Sequence, residues 1–314
     1  MTLNAFFFIL ISALFHVMWN SSLKMCKDKP IAVFLMMSVS VIGFAIVTLF
    51  LYPIKLLFAP SAITTALVAG FFFFLYQYFV ARAYEKGDLT LVYPLTSTAP
   101  VYIVIWSYLL IGEHISFTGG AGIVLIIYGA VTIQTGNLIN LPNITDGVTD
   151  KITDEITEIS QTKKSFSLSK RLNLSDSGVI FALAASFFYS FGAVADKMGV
   201  MTGNVMIYTF HLSLYMTIFH LLRIIGQFQA GKIVSEIRSN PVAIILGGVV
   251  MMLSLITFRI GLADAFASYA SALRQVSTLF GILIGLTIFK EKITLKRVIS
   301  SLIIVAGAVL IKLG

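Results

Sequence analysis

The sequence predicts an all-α membrane protein of about ten transmembrane helices, arranged as two inverted five-helix repeats. Three observations carry that expectation: a composition too apolar for a water-soluble surface, a series of apolar windows long enough to span a bilayer, and the recurrence of one set of residues in both halves. Hydrophobic residues make up 58% of the chain against 11% charged, and mean hydropathy is +0.95. A soluble chain of 314 residues would need far more charge to cover its surface, so the apolar excess faces lipid as well as core.

A spanning helix needs roughly 20 mostly apolar residues to cross a hydrocarbon core of about 30 Å. Such windows run over 3–22, 32–51, 61–82, 89–111 and 118–135 in the first half, and over 177–196, 204–226, 240–262, 265–289 and 295–312 in the second. The first is read as a retained helix rather than a cleaved leader, because Met1-Thr2-Leu3-Asn4 lacks a basic segment and the apolar run is too long. Only the corner Leu262-Ala263-Asp264 separates the windows at 240–262 and 265–289. The polar stretch 137–175 divides a first repeat, 1–136, from a second, 176–314. Within it Ile144, Val148, Ile152, Ile156 and Ile159 recur at helical spacing among acidic residues. That pattern fits a surface-lying helix or a solvated linker, and the acidic polar face favours the linker because anionic lipid would repel it.

The net charge of +8 does not point to nucleic acid, since the cations are spread through short loops rather than gathered on one motif. One alternate set of loops holds Lys24, Lys27, Lys29, Lys86, Lys163, Lys164, Lys170, Arg171, Lys232, Arg238, Lys290, Lys292, Lys296 and Arg297. The opposite set holds little beyond Lys55, Lys197, Arg259 and Lys312. By the positive-inside rule the first set and the linker 137–175 are cytoplasmic, as in the inner membrane of a bacterium, with both termini outside. Cys26 is the only cysteine, which excludes an internal disulfide and a thiolate metal cluster.

The halves match at several places. After the fourth window stands Ile111-Gly112-Glu113-His114-Ile115-Ser116, and after the ninth Phe289-Lys290-Glu291-Lys292-Ile293-Thr294. Each turn leads into a glycine-bearing apolar helix, with Ile126 and Gly129 opposite Ile304 and Gly307. Asn20 and Lys24 likewise lie opposite Ala193 and Lys197. Five helices is an odd number, so the two copies must cross the membrane in opposite senses.

In these features the chain resembles the drug/metabolite transporter superfamily, and within it the EamA type. Pro100, the turn at Gly112, Glu113 and Ser116, and then Gly122, Leu125, Ile126 and Gly129 match that family's repeat. The second half departs from it with Thr278 in place of proline and Lys290 in place of glycine, while Glu291, Thr294, Ile304 and Gly307 still fit. His16, Trp19, Asn20 and Lys24 look like the opening of some members. The resemblance implies a small-molecule transporter with a central cavity between two halves, acting by alternating access as an exporter or exchanger.

The intramembrane polar residues bear on the substrate, because each costs free energy in hydrocarbon and belongs beside a cavity or a partner. Arg274 sits near the middle of the ninth window with Gln275 beside it. Its permanent, planar charge suits a carboxylate or phosphonate, and the other role open to it is a structural clamp between helices. His16, Trp19 and Asn20 share one stripe of the first helix, fit either to line the same cavity or to bond neighbouring helices. Tyr93, followed by Pro94, and Gln77 complete the candidate substrate-binding set, whereas His211 and His220 carry less weight. No metal site and no cofactor are expected, since the histidines stand apart from carboxylates. The expected solute is therefore a small anionic or zwitterionic metabolite such as an amino acid, carried by a monomer or homodimer in contact with membrane lipid.

Other classes fit less well. A cation or multidrug exporter needs a carboxylate inside a span, and Asp196, Asp264 and Glu113 all fall near window ends. A lipid-modifying enzyme needs a catalytic cluster on a polar loop, a channel needs a ring of like residues, and an ATP-driven pump needs a phosphate-binding loop; the sequence offers none. The chain is therefore not expected to be an enzyme.

Overall fold

The structure is a computed structural model that describes residues 1–86, 95, 98–135, 177–227, 230–287 and 295–314. Among the described residues it is helical throughout. The first half holds α1 (Leu3–Met25), α2 (Lys29–Leu51), a short 3-10 turn (Ile54–Phe58), α3 (Pro60–Lys86), α4 (Ala99–Ile111) and α5 (Phe117–Thr135). The second holds α6 (Ser177–Met201), α7 (Val205–Gly226), α8 (Ala230–Ser239), α9 (Pro241–Ala263), α10 (Ala267–Arg274), α11 (Ser277–Thr287) and α12 (Leu295–Leu313). Six of them, α1, α2, α3, α6, α7 and α9, are long and apolar enough to cross a membrane, and α4, α5 and α12 are shorter apolar helices.

Local chemistry sets where these helices begin and end. The Thr2 hydroxyl accepts the Ala5 N–H at 3.1 Å, Asp28 accepts that of Ile31 at 3.3 Å, and Asn204 accepts those of Met206 and Ile207 at 2.9 and 3.2 Å. Pro30 and Pro241 occupy first-turn positions, where their missing N–H is harmless. Gly112, at φ 69°, ends α4 in the left-handed region, which glycine enters without the clash a Cβ would bring. Large apolar side chains such as Phe50 and Phe117 point outward, as lipid-facing surface should.

The extensive packings join one half to the other. α1 lies along α9 and α3 along α6; α2 meets α7 and α9; α4 meets α6; and α5 runs beside α12. Within the first half, only α1 and α2 make a direct contact of note among the described residues. The α5–α12 seam displays the repeat in detail. A methyl group on Gly122 would fall 2.6 Å from the Gly307 carbonyl oxygen, and one on Gly307 would fall 2.7 Å from that of Gly122. A shift of 178 residues turns this pair into Ser300 and Gly129, where a methyl on Gly129 would fall 2.9 Å from the Ser300 carbonyl oxygen. Ile126 beside Gly307 and Ile304 beside Gly129 obey the same shift. Gly122, Gly129 and Gly307 therefore permit the close approach of these two helices, whereas Gly281 faces open space.

Two features depart from the windows. The stretch expected as one helix over 265–289 is broken between α10 and α11, where Gln275, Val276, Thr278 and Leu279 each donate to the carbonyl three residues back at 2.9–3.0 Å. These tightened turns coincide with a Thr278 hydroxyl that bonds the Gln275 carbonyl at 2.8 Å and with a backbone that borders a cavity. The second departure is α8, too short and too charged to read as a span. Its Glu236 carboxylate accepts the Lys27 and Asp28 N–H groups, both at 3.0 Å, and pins α8 to the α1–α2 turn. Tyr93, Pro94, Glu291 and the linker 137–175 lie outside the described residues.

Candidate functional site

Between the two halves lies a cavity of about 640 Å³. Its walls come from α1 through α4 of the first half and α6, α7, α9, α10 and α11 of the second. His16, Trp19, Asn20, Gln77, Arg274 and Gln275 all line it, so the structure gathers every described member of the sequence-derived set into one space.

Arg274 ends α10 at the helix break, half-buried, with its guanidinium stacked 4.5 Å from the Phe258 ring centroid. Its Nη2 lies 3.2 Å from His16 Nδ1, and the Trp19 indole N–H donates to that same nitrogen at 3.2 Å. The His16 and Trp19 rings meet edge to face, 5.4 Å apart. Asn20 turns back on its own helix, donating to the His16 carbonyl at 2.6 Å. Gln77 Oε1 stands 2.7 Å from His220 Nε2, while His220 Nδ1 faces the Met216 carbonyl at 2.8 Å and must donate to it. No carboxylate lies within ion-pair distance of Arg274 among the described residues.

The lining also holds groups that the windows do not single out. Arg223, Arg259 and Lys29 join Arg274, against a single carboxylate, Asp196, among the lining residues. Asp196 is already taken: its Oδ1 accepts from Arg259 Nε at 2.9 Å in a pair buried to within a few per cent. The cavity is therefore electropositive, and its net positive charge resides on arginine and lysine. The sequence places Asp196 at a span end because the apolar window closes there, but α6 continues to Met201 and carries it inside. Arg259 lies inside the window 240–262 but near its end, where it counts among the loop cations. Neither helix alone encodes the pair, since its members come from α6 and α9.

The two ends of the cavity differ. At one end Lys29, Pro30 and Gln227 are exposed and form a mouth beside the α1–α2 turn. At the other, Asp196, Arg259, Leu262 and Ala267 are buried. There Lys197 Nζ donates to the Leu262 and Ala263 carbonyls, both at 2.9 Å, and caps the end of α9. Both Glu113 carboxylate oxygens lie 2.9 Å from the Ala267 N–H at the start of α10, and the Ser116 N–H donates to the Tyr269 hydroxyl at 3.2 Å. Burial pushes the Glu113 carboxyl above its usual range, against the pull of the Ala267 N–H and the Lys197 ammonium. The repeat turn at Glu113 is thus part of a seal that joins α4, α5, α6, α9 and α10.

Comparison with known proteins agrees with this architecture. The model of the EamA-like transporter family matches residues 3–135 and again 176–313. No curated protein matches the chain. Solved structures do: one crystal structure, 17% identical, superposes with a TM-score of 0.72 over 99% of this chain and 97% of its own. At that identity the likeness is one of fold.

Proposed function

Because the chain belongs to the EamA-like transporter family of the drug/metabolite transporter superfamily, we propose that it is a secondary exporter or exchanger of a small anionic or zwitterionic metabolite, such as an amino acid. It is an integral membrane protein, and the proposed working cycle is alternating access around the central cavity. One observation carries the substrate class: Arg274 stands at a helix break in the cavity wall with no carboxylate partner among the described residues. A guanidinium within a span is costly when no anion balances its charge, and a bound carboxylate would supply that charge and two parallel hydrogen bonds. A cationic substrate finds less here, since Asp196 is neutralised by Arg259.

In this reading the six long spans, the three shorter apolar helices and the α10–α11 pair are taken as ten passes, with the twofold axis of the repeat in the membrane plane. The mouth beside Lys29 opens on the cation-rich side, which the positive-inside rule makes cytoplasmic, together with the linker 137–175. The proposed location is a bacterial inner membrane, and the conformation is then inward-facing. Rocking one half against the other would break the seal at Glu113 and Lys197 and close the mouth.

Reconstitution in liposomes tests the substrate class. A mixture of the twenty common amino acids with succinate and inorganic phosphate is presented, and the solute taken up is identified by mass spectrometry. Arg274→Ala is expected to abolish that uptake in a protein with an unchanged elution profile; unchanged uptake would overturn the assigned role.

A further inference from the structure

The contact between Arg274 and His16 bears on protons as well as anions, an inference that rests on the anion-transport reading of the cavity. Guanidinium and indole nitrogens are donors only. Arg274 Nη2 and Trp19 Nε1 both stand 3.2 Å from one atom, His16 Nδ1. That nitrogen therefore offers its lone pair to both, and the ring is the neutral tautomer with its hydrogen on Nε2. A proton on Nδ1 would aim one N–H at two others and set an imidazolium against the guanidinium. Proton and guanidinium thus compete for one lone pair.

An anion at Arg274 takes the guanidinium, the charged partner, out of that competition, and its oxygens offer the Trp19 N–H an alternative acceptor as well. Its charge cancels the repulsion, and its oxygens give the guanidinium N–H groups better acceptors than an imidazole nitrogen. We propose that His16 Nδ1 is a proton-binding site that fills when an anion occupies Arg274, so that proton and anion cross as a pair. The proton comes from water at the mouth, forms an N–H bond at Nδ1 and returns to water on the far side. A monovalent anion and one proton together leave the charge of the site unchanged, so the loaded and empty forms cross the membrane at like electrostatic cost.

The surroundings leave this role to His16. Among the elements packed on α1, α9 contributes Arg259, which Asp196 of α6 holds at 2.9 Å. α10 contributes Arg274 itself and Tyr269, whose hydroxyl is engaged by Ser116. α2 contributes Lys29, bound to carbonyls at the end of α1. α11 carries no titratable side chain, and α1 itself adds only Lys24, near its end. Across the cavity stand Tyr76 and Tyr189. His220 has its ring nitrogens against the Met216 carbonyl and the Gln77 amide, and no hydrogen bond joins it to Arg274. Coupling of this kind sets no direction: an inward proton gradient drives uptake, while an accumulated metabolite leaving the cell carries its proton out.

The test uses the same liposomes and solute mixture, with a pH-sensitive dye trapped inside. Wild-type protein is expected to carry about one proton per monovalent anion, and the apparent anion affinity falls about tenfold for each pH unit once the ring is deprotonated in the absence of anion. His16→Asn keeps an acceptor where Nδ1 stood but takes no proton, so whatever uptake it retains is expected to be proton-free. Uptake without protons by the wild type, or proton-linked uptake by His16→Asn, would overturn the proposal while leaving anion transport standing. Absence of uptake of any solute by the wild type would overturn both. Should His16→Asn be inactive, nitrogen NMR of wild-type protein in nanodiscs decides: the transported solute must move His16 Nδ1 from unprotonated to protonated, and an unchanged signal refutes the coupling.

Discussion

Asp196 and Arg259 illustrate how much one residue can matter where two opposite charges are buried side by side. Each is nearly inaccessible, and each leaves the other as an unpaired buried charge if removed. Asp196→Ala is expected to cost about 3 to 5 kcal/mol, read as a lowered melting temperature in detergent, whereas Asp196→Leu combined with Arg259→Met should recover most of it. Glu113 makes a pH prediction. Its carboxyl is raised by burial, so the folded state holds its proton more tightly than the unfolded chain does. Stability from this group is complete below the ordinary glutamate range and is lost as pH rises through the raised value. Melting temperatures should therefore fall across that window on the way up, and Glu113→Gln, neutral at every pH, should flatten the slope. At this scale the sequence is most legible where a residue type is rare in a span. Arg274 stands out on cost alone, while His220 and Arg223 need the neighbouring helices to acquire meaning.

For single elements, apolar windows locate the long helices well because lipid imposes the same rule along the whole length of each. They fail where backbone conditions change within a span. Nothing in the apolar character of 265–289 marks the break after Arg274, because it arises from tightened hydrogen bonds beside a cavity formed by other helices. Glycine shows the same limit. Gly122, Gly129, Gly281 and Gly307 read alike as letters, yet only three of them lie against a facing backbone. Gly122→Ala and Gly307→Ala should each destabilise the protein by about 1 to 3 kcal/mol through overpacking, whereas Gly281→Ala should stay within about 0.5 kcal/mol of wild type. Thermal unfolding of the three variants side by side checks this.

Over the whole molecule, the repeat is legible because duplicated turns and helices keep their order even after most identities have drifted. The side on which the cavity opens is not, since in the proposed cycle it depends on which of the two ends is sealed. In a Cys26→Ser background, Gln275→Cys should react with a membrane-impermeant thiol reagent more than about tenfold faster from the side of Lys29 than from the opposite side. Adding Glu113→Gln should narrow that difference by loosening the seal. The pairing of α1 with α9, α3 with α6 and α5 with α12 also has a meaning for biosynthesis. A ribosome delivers the first five helices while every major partner is still unmade, so their polar and glycine-lined faces must wait in lipid. Completion of the second half is what ends that wait. A stop codon in the linker should therefore yield a fragment that inserts but is cleared by membrane proteases, and supplying the other half as a separate chain should rescue it.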